Sequence, residues 1–486
     1  MIDDEILEKY RMTVGVECHV QLSTTTKLFS GADNDARDKS PNSVVSPIDY
    51  ALPGMLPVLN HKAIELAIRA GKALNSQIAS VSRFDRKHYF YPDLPKGYQT
   101  TQMYQPIILA GSINIPLEDG SSIDVRINHA HLEEDAGKLT HHGDHSLVDL
   151  NRAGTPLIEI VSEPDIHSAA EAKAYATELY RLMTYAGVTN GDLYHGNMRF
   201  DVNISAAPIG AEKLGTRAEV KNLNSFRSVE RAAEFEFRRQ VALLEAGETV
   251  VQETRGWDEA KQKTTSQRSK EDAQDYRYMP DADIPPVVLS DDEISAIQNS
   301  MPALPPFYRD QWRDFGLDVT VINALLLSQS TAQLLQRVYE KSDNNTARRV
   351  GLWLSIISGD QGDVDGNVTN NEIKVTDDQF IGLSKMVENN ELSSTAAKEV
   401  LFEMLNSDED PRDIAEKKNL IQVSDESAIA VIVDEVISDP ICARAVADFK
   451  SGNEKVIGFL VGQIMKKSAG KANPELAQKL IRERIK

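Results

Sequence analysis

Apolar and polar residues alternate with a period of two in four separated stretches of the chain, which predicts four strands. In the first, residues 13–22, an apolar set alternates with a polar set: Val14, Val16, Cys18, Val20 and Leu22 with Glu17, His19 and Gln21. Successive side chains of a strand point to opposite faces, so Glu17 and His19 share one face. The pattern predicts a sheet with one buried apolar face and one polar face that carries acids and a histidine.

The other three stretches place carboxylates and cations in the same way. Two of them put polar side chains on one face: Arg199, Asp201, Asn203 and Ser205 in residues 199–205, and Arg217, Glu219 and Lys221 in residues 217–221. The third, residues 157–161, is an apolar run that contains one acid, Glu159. A carboxylate in a buried strand needs a compensating partner, and a metal ion is one candidate.

Up to Pro286 the chain combines short alternating segments with Gly, Pro and a few amphipathic helices, among them residues 61–74 and 168–186. This organisation is typical of an α+β domain built on antiparallel strands. The proline-rich stretch 279–286 marks a boundary because consecutive prolines continue neither a helix nor a central strand.

Beyond the prolines, apolar residues recur at helical spacing. The spacing predicts helices over 291–300, 318–340, 344–357, 376–388, 393–406 and 424–437. Thr376 and Ser393 are favourable N-cap residues for two of these helices. A polar linker over 406–411 predicts a last boundary before a small tail. The predicted domains are residues 1–290, 291–408 and 409–486.

Length and composition indicate a globular protein of two or three domains, with 486 residues of which 41% are hydrophobic. No stretch approaches the roughly 18–20 uncharged apolar residues of a membrane span, and the N-terminus lacks a signal-peptide pattern. We therefore expect a cytoplasmic protein without a membrane segment. Cys18 and Cys442 form no CxxC pair, which supports neither a zinc knuckle nor a disulfide framework.

The net charge of −21 argues against indiscriminate nucleic-acid binding, because neutralisation of phosphates supplies most of that affinity. Residues 451–486 carry a net charge of the opposite sign, +5, from eight basic and three acidic side chains. This basic tail is either a local nucleic-acid contact or a solvated helical surface.

Three groups of acids are candidate metal sites, each with a structural alternative. Glu17 and His19 are candidate ligands of Mg²⁺ or Mn²⁺, or a salt-bridged surface pair. Residues 129–138 hold three acids beside a glycine and a lysine, and such a segment is often a solvated acidic loop. For Glu159 the alternative is an internal salt bridge to Arg152 or Lys221.

No GxxxxGK[ST] phosphate loop is present, so any ATP must be held through metal ions and single basic side chains. The loop 84–99 is dense in aromatic and cationic residues, which suits stacking on a base and contact with phosphate. Its alternative role is an ordered loop that packs tyrosines on the domain. Ser225 is a candidate N-cap of a helix whose first turn offers N–H groups to an anion, or caps without a ligand.

Six segments closely resemble the GatB family, the B subunits of aspartyl/glutamyl-tRNA amidotransferases, and together they span essentially the whole chain. They are FDRKHYFYPDLPKGYQ (84–99), LEEDAGK (132–138), DLNRAGTPLIEIVSEPD (149–165), AEVKNLNSF (218–226), DYRYMPDADIPP (275–286) and GFLVGQIMKKSAGKANP (458–474).

The resemblance implies a cradle domain related in fold to the glutamine synthetase catalytic domain, a helical domain and a small helical tail that contacts tRNA. It also implies a reaction. ATP phosphorylates the side-chain carboxylate of Glu on tRNA(Gln) or of Asp on tRNA(Asn), and ammonia then displaces phosphate to give the amide. The ammonia is made by a partner amidase and travels through a tunnel.

Residue by residue, the resemblance implies that the Mg²⁺ ligands are Glu17, His19, Glu134 and Glu159. Glu133 is an adjacent alternative to Glu134, and Glu219 is a further carboxylate in the same pocket. Glu159 and Glu219 are expected to take part in catalysis, with Arg199 and Lys221 stabilising the transferring phosphoryl group. Lys87, Tyr89, Lys96 and Arg199 are expected to bind ATP. Some members of the family hold zinc through cysteines, and with two cysteines this chain is expected to hold none.

The sequence shows neither a Gly/Ser-rich amidase segment nor a serine-serine-lysine arrangement, so glutamine hydrolysis needs another chain. The expected partners are the amidase (A) and the small third (C) members of the same heterotrimer, together with tRNA(Gln) or tRNA(Asn). Two alternatives remain: a freestanding ATP-dependent carboxylate-amidating ligase, and a non-catalytic tRNA-binding scaffold.

Overall fold

A computed structural model describes residues 3–269, 275–361, 373–422, 426–468 and 472–485. The described residues form two compact units, one up to Arg309 and the other from Asp310 onwards. The first combines strands with helices, and the second is helical. This confirms the expectation of an α+β protein with a helical C-terminal region.

Sixteen strands occur in the described part of the first unit. They are β1 (Tyr10–Gln21), β2 (Ser76–Ile78), β3 (Val81–Ser82), β4 (Asp85–His88), β5 (Tyr98–Thr101), β6 (Ile108–Pro116), β7 (Ser122–Glu134), β8 (Lys138–His142), β9 (His145–Asp149), β10 (Pro156–Ser162), β11 (Met198–Pro208), β12 (Ala218–Leu223), β13 (Glu253–Asp258), β14 (Lys263–Ser269), β15 (Met279–Pro280) and β16 (Val287–Val288).

Nine of these strands form one sheet, in the order β14-β13-β12-β11-β1-β10-β7-β6-β2. Neighbours pair antiparallel except β12 and β13, which run parallel. The large sheet is therefore mostly antiparallel, as predicted. Smaller sheets join β15-β4-β5, β16-β3 and β8-β9.

All four strands predicted from the alternation lie in this sheet, as β1, β10, β11 and β12. The apolar residues of β1 from Val14 to Val20 are at most 1% exposed, while Glu17 and His19 are partly exposed on the other face. Burial of the alternating β-branched side chains supplies the hydrophobic stabilisation of this face.

Helices of the first unit pack on the apolar face of the sheet. They are α1 (Asp4–Leu7), α2 (His61–Ala73), α3 (Ala169–Tyr185), α4 (Phe226–Glu245) and α5 (Asp291–Asn299). The division between the units falls within the next helix, α6 (Pro305–Trp312). The predicted helices 61–74 and 168–186 are confirmed as α2 and α3. Ser225 caps α4 as predicted, accepting a hydrogen bond from the Ser228 backbone N–H at 3.0 Å.

Ten further helices follow in the described part of the second unit. They are α7 (Val319–Leu325), α8 (Gln329–Lys341), α9 (Asn344–Gln361), α10 (Asp377–Glu388), α11 (Ser394–Met404), α12 (Pro411–Lys417), α13 (Glu426–Ile437), α14 (Ala443–Lys450), α15 (Ile457–Lys467) and α16 (Pro474–Arg484). No helix in the described ranges combines the length and the apolar character that a membrane crossing needs.

One helix prediction in this unit is wrong. The range 318–340 is two helices, α7 and α8, because Ser328 starts a new helix by accepting a hydrogen bond from the Thr331 backbone N–H. The start of the predicted helix 424–437 lies outside the described residues, and α13 covers the rest.

A buried ion pair ties α3 to α6 within the first unit. Glu178 is 1% exposed and accepts hydrogen bonds from Arg309 at 2.7 and 2.5 Å and from Arg181 at 3.1 Å. Burial raises the pKa of Glu178, but the two guanidinium groups outweigh it and lower that pKa overall. A carboxylate so deeply buried stays charged only because both arginines compensate it.

We predict that Glu178→Ala lowers the free energy of unfolding of this unit by about 3–5 kcal/mol, because it leaves two guanidinium groups without their buried counter-ion. Urea unfolding followed by circular dichroism measures the change. Glu65→Ala, which breaks a more exposed pair with Lys62 and Arg69, is the control and should cost at most about 1 kcal/mol. Equal losses in the two variants would contradict the account.

Candidate functional site

The register of the sheet gathers polar residues from four strands. His19 in β1 lies opposite Glu159 in β10 on one side and Arg199 in β11 on the other. Glu159 in turn lies opposite His131 in β7. Directly opposed residues project from the same face of a sheet, so these side chains converge on its polar face.

His19, Glu133 and Glu159 form the centre of this face. The Nε2 atom of His19 lies 3.3 Å from Glu159 Oε2 and 3.5 Å from Glu133 Oε1. One potential ligand atom from each residue lies within 4.8 Å of the other two. We call these three residues the carboxylate cluster.

Electrostatics inside the cluster are strongly coupled. Burial and the charge of Glu159 raise the pKa of Glu133 to about 7. Burial alone disfavours the charged form of His19, but the hydrogen bond to Glu159 and the charge of Glu133 outweigh it and raise its pKa to about 9. Burial also opposes ionisation of Glu159, yet His19 and His131 lower its pKa overall. Near neutral pH the His19 imidazolium therefore faces a charged Glu159 and a Glu133 carboxyl that is about half ionised.

Glu134 points away from the carboxylate cluster, because it follows Glu133 on the same strand. Its Oε1 atom accepts a hydrogen bond from the Thr100 backbone N–H at 2.9 Å and pairs with the Lys96 ammonium. Of the two adjacent acids considered from the sequence, the structure brings Glu133 into the cluster. Lys96 is held against Glu134, and its ammonium also lies 5.1 Å from the centre of the Tyr98 ring.

Glu17 and Glu219 lie farther along the same face. Glu17 accepts a hydrogen bond from Asn203 Nδ2 at 2.9 Å, and burial together with the charges of Glu159 and Glu219 raises its pKa. The Lys221 ammonium lies 3.0 Å from Glu219 Oε1 and 2.7 Å from Asp201 Oδ2.

The two carboxylates that pair with Lys221 raise its pKa. Burial lowers the pKa of Lys221, but Asp201 and Glu219 outweigh burial and raise it. Lys221 therefore partly neutralises the negative charge of Asp201 and Glu219.

Arg199 lies on the opposite side of His19 from Glu159, facing Asp135. Its Nη2 atom is 3.3 Å from each carboxylate oxygen of Asp135, which also binds Arg152 at 2.9 Å. The charge of Asp135 raises the pKa of Arg199. The Arg199 side chain remains 42% exposed, so it can contact an anion that enters the polar face.

Lys87 and Tyr89 lie at the end of β4, next to the cluster. The Lys87 ammonium lies 5.0 Å from the centre of the Tyr276 ring and 6.0 Å from that of Tyr89, and it has no ion pair within 4 Å among the described contacts. Burial lowers its pKa, but the charges of Glu133 and Glu159, among others, raise it overall. Lys87 is therefore a cation held near the carboxylates by aromatic rings.

Sequence reasoning missed His131. It is 8% exposed and its Nε2 atom lies 3.7 Å from Glu159 Oε2 and 3.9 Å from Glu133 Oε2. The available signal was the spacing of His129, His131 and Glu133, which puts all three on one face of β7.

A polar cavity of about 570 Å³ opens where β1 ends. Gln21 and Arg152 are among its lining residues, with Asn34, Arg37 and His195 on other segments. Gln21 lies two residues after His19 on the same strand face, and Arg152 binds Asp135. The volume falls in the range of ligand-binding clefts.

The carboxylate cluster fits a divalent cation. Around an ion with ligands at about 2.1 Å, neighbouring donor atoms lie about 3.0 Å apart and opposite ones about 4.2 Å apart. The separations of 3.3 and 3.5 Å within the cluster fall in this interval. A cation would also relieve the repulsion between Glu133 and Glu159, and the neighbouring cations Lys87, Arg199 and Lys221 suit a polyanionic ligand.

We predict that His19→Asn costs more stability at pH 6 than at pH 10 in protein freed of metal with EDTA. The folded-state pKa of His19 lies above its usual value of 6.5, so its stabilising charge is fully present below pH 6.5 and lost as pH rises through about 9. Urea unfolding should give a difference between the two pH values of roughly 2–3 kcal/mol.

His145→Asn is the control for this comparison, because His145 pairs with Asp144 on the exposed surface. It should change stability by less than about 0.5 kcal/mol at either pH. A loss for His19→Asn that is the same at pH 6 and pH 10 would show that the imidazolium does not stabilise the cluster.

Comparison with protein families gives matches to two family models. Residues 12–295 match the model described as the GatB/GatE catalytic domain, and residues 363–485 match the model described as the GatB domain. The first match contains every residue of the carboxylate cluster, and the second covers the basic tail up to residue 485.

Curated relatives match over almost the whole chain. The B subunit of an aspartyl/glutamyl-tRNA(Asn/Gln) amidotransferase from Halorhodospira halophila is 44% identical, over 98% of this chain and 99% of the relative. The protein of the same name from Caldanaerobacter subterraneus subsp. tengcongensis is 42% identical, with the same coverage. The chloroplastic/mitochondrial B subunit of the glutamyl-tRNA(Gln) amidotransferase of Oryza sativa subsp. japonica is 42% identical over 98% of this chain and 88% of the relative.

These full-length identities and both family models agree with the six sequence segments that indicated the resemblance. The chain belongs to the GatB family, the B subunits of aspartyl/glutamyl-tRNA(Asn/Gln) amidotransferases.

Proposed function

We propose that the polar face of the sheet is where this chain activates the side-chain carboxylate of glutamate on tRNA(Gln) or of aspartate on tRNA(Asn). ATP is the phosphoryl donor, and ammonia from a partner chain completes the amide. The observation that carries the proposal is the convergence of His19, Glu133 and Glu159 from three neighbouring strands, with Arg199 and Lys87 close by.

The reaction has two balanced steps. A side-chain carboxylate oxygen of the aminoacyl group attacks the γ-phosphorus of ATP, the bond to the β–γ bridging oxygen breaks, and ADP leaves. Ammonia then attacks the carbonyl carbon of the acyl phosphate, inorganic phosphate leaves with the former carboxylate oxygen, and the nitrogen loses a proton. Phosphoryl transfer of this kind depends on positioning and on charge stabilisation.

His19, Glu133 and Glu159 are the proposed ligands of Mg²⁺, with Glu17 and Glu219 as further carboxylates for a second position. When bound, Mg²⁺ neutralises phosphate charge and orients the γ-phosphoryl group. Glu134, which the family resemblance also implies as a ligand, reaches the cluster only if its pair with Lys96 and its hydrogen bond from Thr100 are broken. The resemblance implies no zinc for a chain with two cysteines.

Positive side chains around the cluster have separable roles in this proposal. Lys87 faces the carboxylates without a direct ion pair among the described contacts, so it is the candidate contact for the ATP phosphates, with Tyr89 beside it. Arg199 and Lys221 stabilise the transferring phosphoryl group, each held in place by a carboxylate. Lys96 contacts ATP only when it leaves Glu134.

The remaining proposals concern the rest of the assembly. Membership of the family makes the chain one part of a multi-subunit amidotransferase. We propose the amidase (A) and the small third (C) members of a heterotrimer as its partners, in the cytoplasm, and a likeness of residues 1–290 to the glutamine synthetase catalytic domain. Residues 291–408 then form the helical domain and 409–486 the tail that contacts tRNA.

The basic tail has partly neutralised cations in the described ranges. Three of them form ion pairs: Lys467 with Glu435, Arg482 with Glu454 and Arg484 with Asp434. Lys455 and Lys466 are exposed, with no ion pair among the described contacts, and they are the best candidates to contact phosphates. Lys471 and Lys486 lie outside the described residues.

We predict that Glu159→Gln abolishes ADP formation and amide formation together, because it removes a charged oxygen from the carboxylate cluster. The assay uses the chain assembled with both partner proteins, both aminoacyl-tRNAs, and an ammonium salt as nitrogen donor, so that glutamine hydrolysis cannot limit the rate. Glu118→Gln, at an exposed turn, is the control and should leave both products unchanged.

Three results would contradict the proposal. Full ADP and amide formation in Glu159→Gln would remove the carboxylate cluster from the chemistry. Absence of both products in the folded wild-type assembly would favour a tRNA-binding scaffold, and amidation of free amino acids but not of aminoacyl-tRNA would favour a freestanding ligase.

We predict that Lys455→Ala combined with Lys466→Ala weakens tRNA binding and flattens its salt dependence. Each lost phosphate contact should reduce the slope of log K against log[salt] by about 0.9. Fluorescence anisotropy between 50 and 200 mM KCl measures the slope. Lys398→Ala, at an exposed position on α11 outside the tail, is the control. The same slope in the wild type, the control and the double variant would show that Lys455 and Lys466 do not contact the tRNA phosphates.

A further inference from the structure

His131 has an unusual environment for a buried histidine. It is 8% exposed, and its Nδ1 atom has no hydrogen-bond partner among the residues that the structure describes. Its Nε2 atom faces Glu159 Oε2 at 3.7 Å and Glu133 Oε2 at 3.9 Å, both beyond hydrogen-bond distance. Neither ring nitrogen therefore makes a hydrogen bond within the described structure.

Such a side chain is costly to keep in a folded protein. A buried polar group without a partner costs roughly 1–3 kcal/mol, and an apolar residue at this position would avoid that cost. The ring is also held in one place, because it stacks on His129 with 5.3 Å between ring centres and 19° between ring planes. The atom without a partner is Nδ1, so a histidine kept at this cost indicates a function for its other nitrogen, Nε2, which faces two carboxylates.

The distances between the two histidines and the two carboxylates also suit a shared cation. Glu133 presents Oε1 to His19 and Oε2 to His131, and Glu159 presents Oε2 to both histidines. The four separations, 3.3, 3.5, 3.7 and 3.9 Å, lie between the roughly 3.0 Å of neighbouring and 4.2 Å of opposite donors around one ion. With one donor atom from each described residue, only His19, Glu133 and Glu159 lie within 4.8 Å of one another, so a cation that also binds His131 has to use both oxygens of Glu133.

We propose that His131 is a fourth ligand of the cation, so that the site has two imidazole and two carboxylate donors. This inference rests on the cation site of the proposed function and adds a residue to it. The second imidazole makes the site prefer first-row transition ions to Mg²⁺ more strongly than an all-oxygen site does, because imidazole nitrogen binds those ions better than it binds Mg²⁺. The site should therefore bind Mn²⁺ more tightly than Mg²⁺, and His131 should supply much of that difference.

Electron spin echo spectroscopy of bound Mn²⁺ tests the proposal directly. The full chain is loaded with substoichiometric Mn²⁺ without ATP or tRNA, and the spectra of samples with ¹⁴N- and ¹⁵N-labelled histidine are compared. The wild-type chain should show two coupled imidazole nitrogens. The count needs no variant, so it stands even if substitution at the buried position impairs folding.

Variants assign the two nitrogens and measure the selectivity. His131→Gln should leave one coupled nitrogen, weaken Mn²⁺ binding roughly 10- to 100-fold and weaken Mg²⁺ binding less. His129→Gln is the matched control, because His129 stacks on His131 and its Nδ1 contacts Asn128 Oδ1. It should keep two coupled nitrogens and near wild-type Mn²⁺ affinity.

The outcomes separate this inference from the proposed function. One coupled nitrogen in the wild type, lost in His19→Gln and kept in His131→Gln, would overturn the role of His131 and leave the cation site intact. Absence of specific Mn²⁺ binding to the wild-type chain would overturn both. A metal affinity that falls equally in His131→Gln and His129→Gln would make His131 a packing residue.

Discussion

The pair formed by His19 and Glu159 is the interaction on which the polar face depends. It joins β1 to β10 at the middle of a nine-stranded sheet, with Glu133 and His131 contributed by β7. Two carboxylates this close repel each other, and the imidazolium keeps them together until a cation takes part. A register slip of one residue in β10 would turn Glu159 toward the apolar core and take the cluster apart. The buried apolar face, which fixes the register, therefore also fixes the chemistry.

The cations around this pair differ in how they are compensated. Outside the cluster, Arg199 is held by Asp135, and Lys221 by Asp201 and Glu219, so each of these two cations has its own counter-ion. Lys87 differs because it faces the carboxylates only through space, packed among tyrosines. The polar face therefore holds cations next to carboxylates on a chain whose net charge is −21. Local fields, not net charge, govern such a site.

Much of this was predictable from the sequence, and the failures have physical causes. Period-two alternation located β1, β10, β11 and β12 and the side of the sheet on which their polar residues lie, because alternation is local. Helical spacing located most helices but joined α7 to α8, since it does not register a new N-cap at Ser328. The choice between Glu133 and Glu134 and the place of His131 depend on strand pairing across distant segments. Register is a long-range property that one sequence does not display.

The most direct test of the central claim is to measure whether an oxygen atom of the substrate carboxylate appears in the inorganic phosphate. Glutamate labelled with ¹⁸O in its side-chain carboxylate is attached to tRNA(Gln) and amidated by the complete assembly with ATP and ammonium. If the polar face activates the carboxylate by phosphorylation, one ¹⁸O atom appears in inorganic phosphate for each amide formed, and Glu159→Gln gives neither. Amide formation with unlabelled phosphate would contradict the account, because the carboxylate oxygen would then have left by another route.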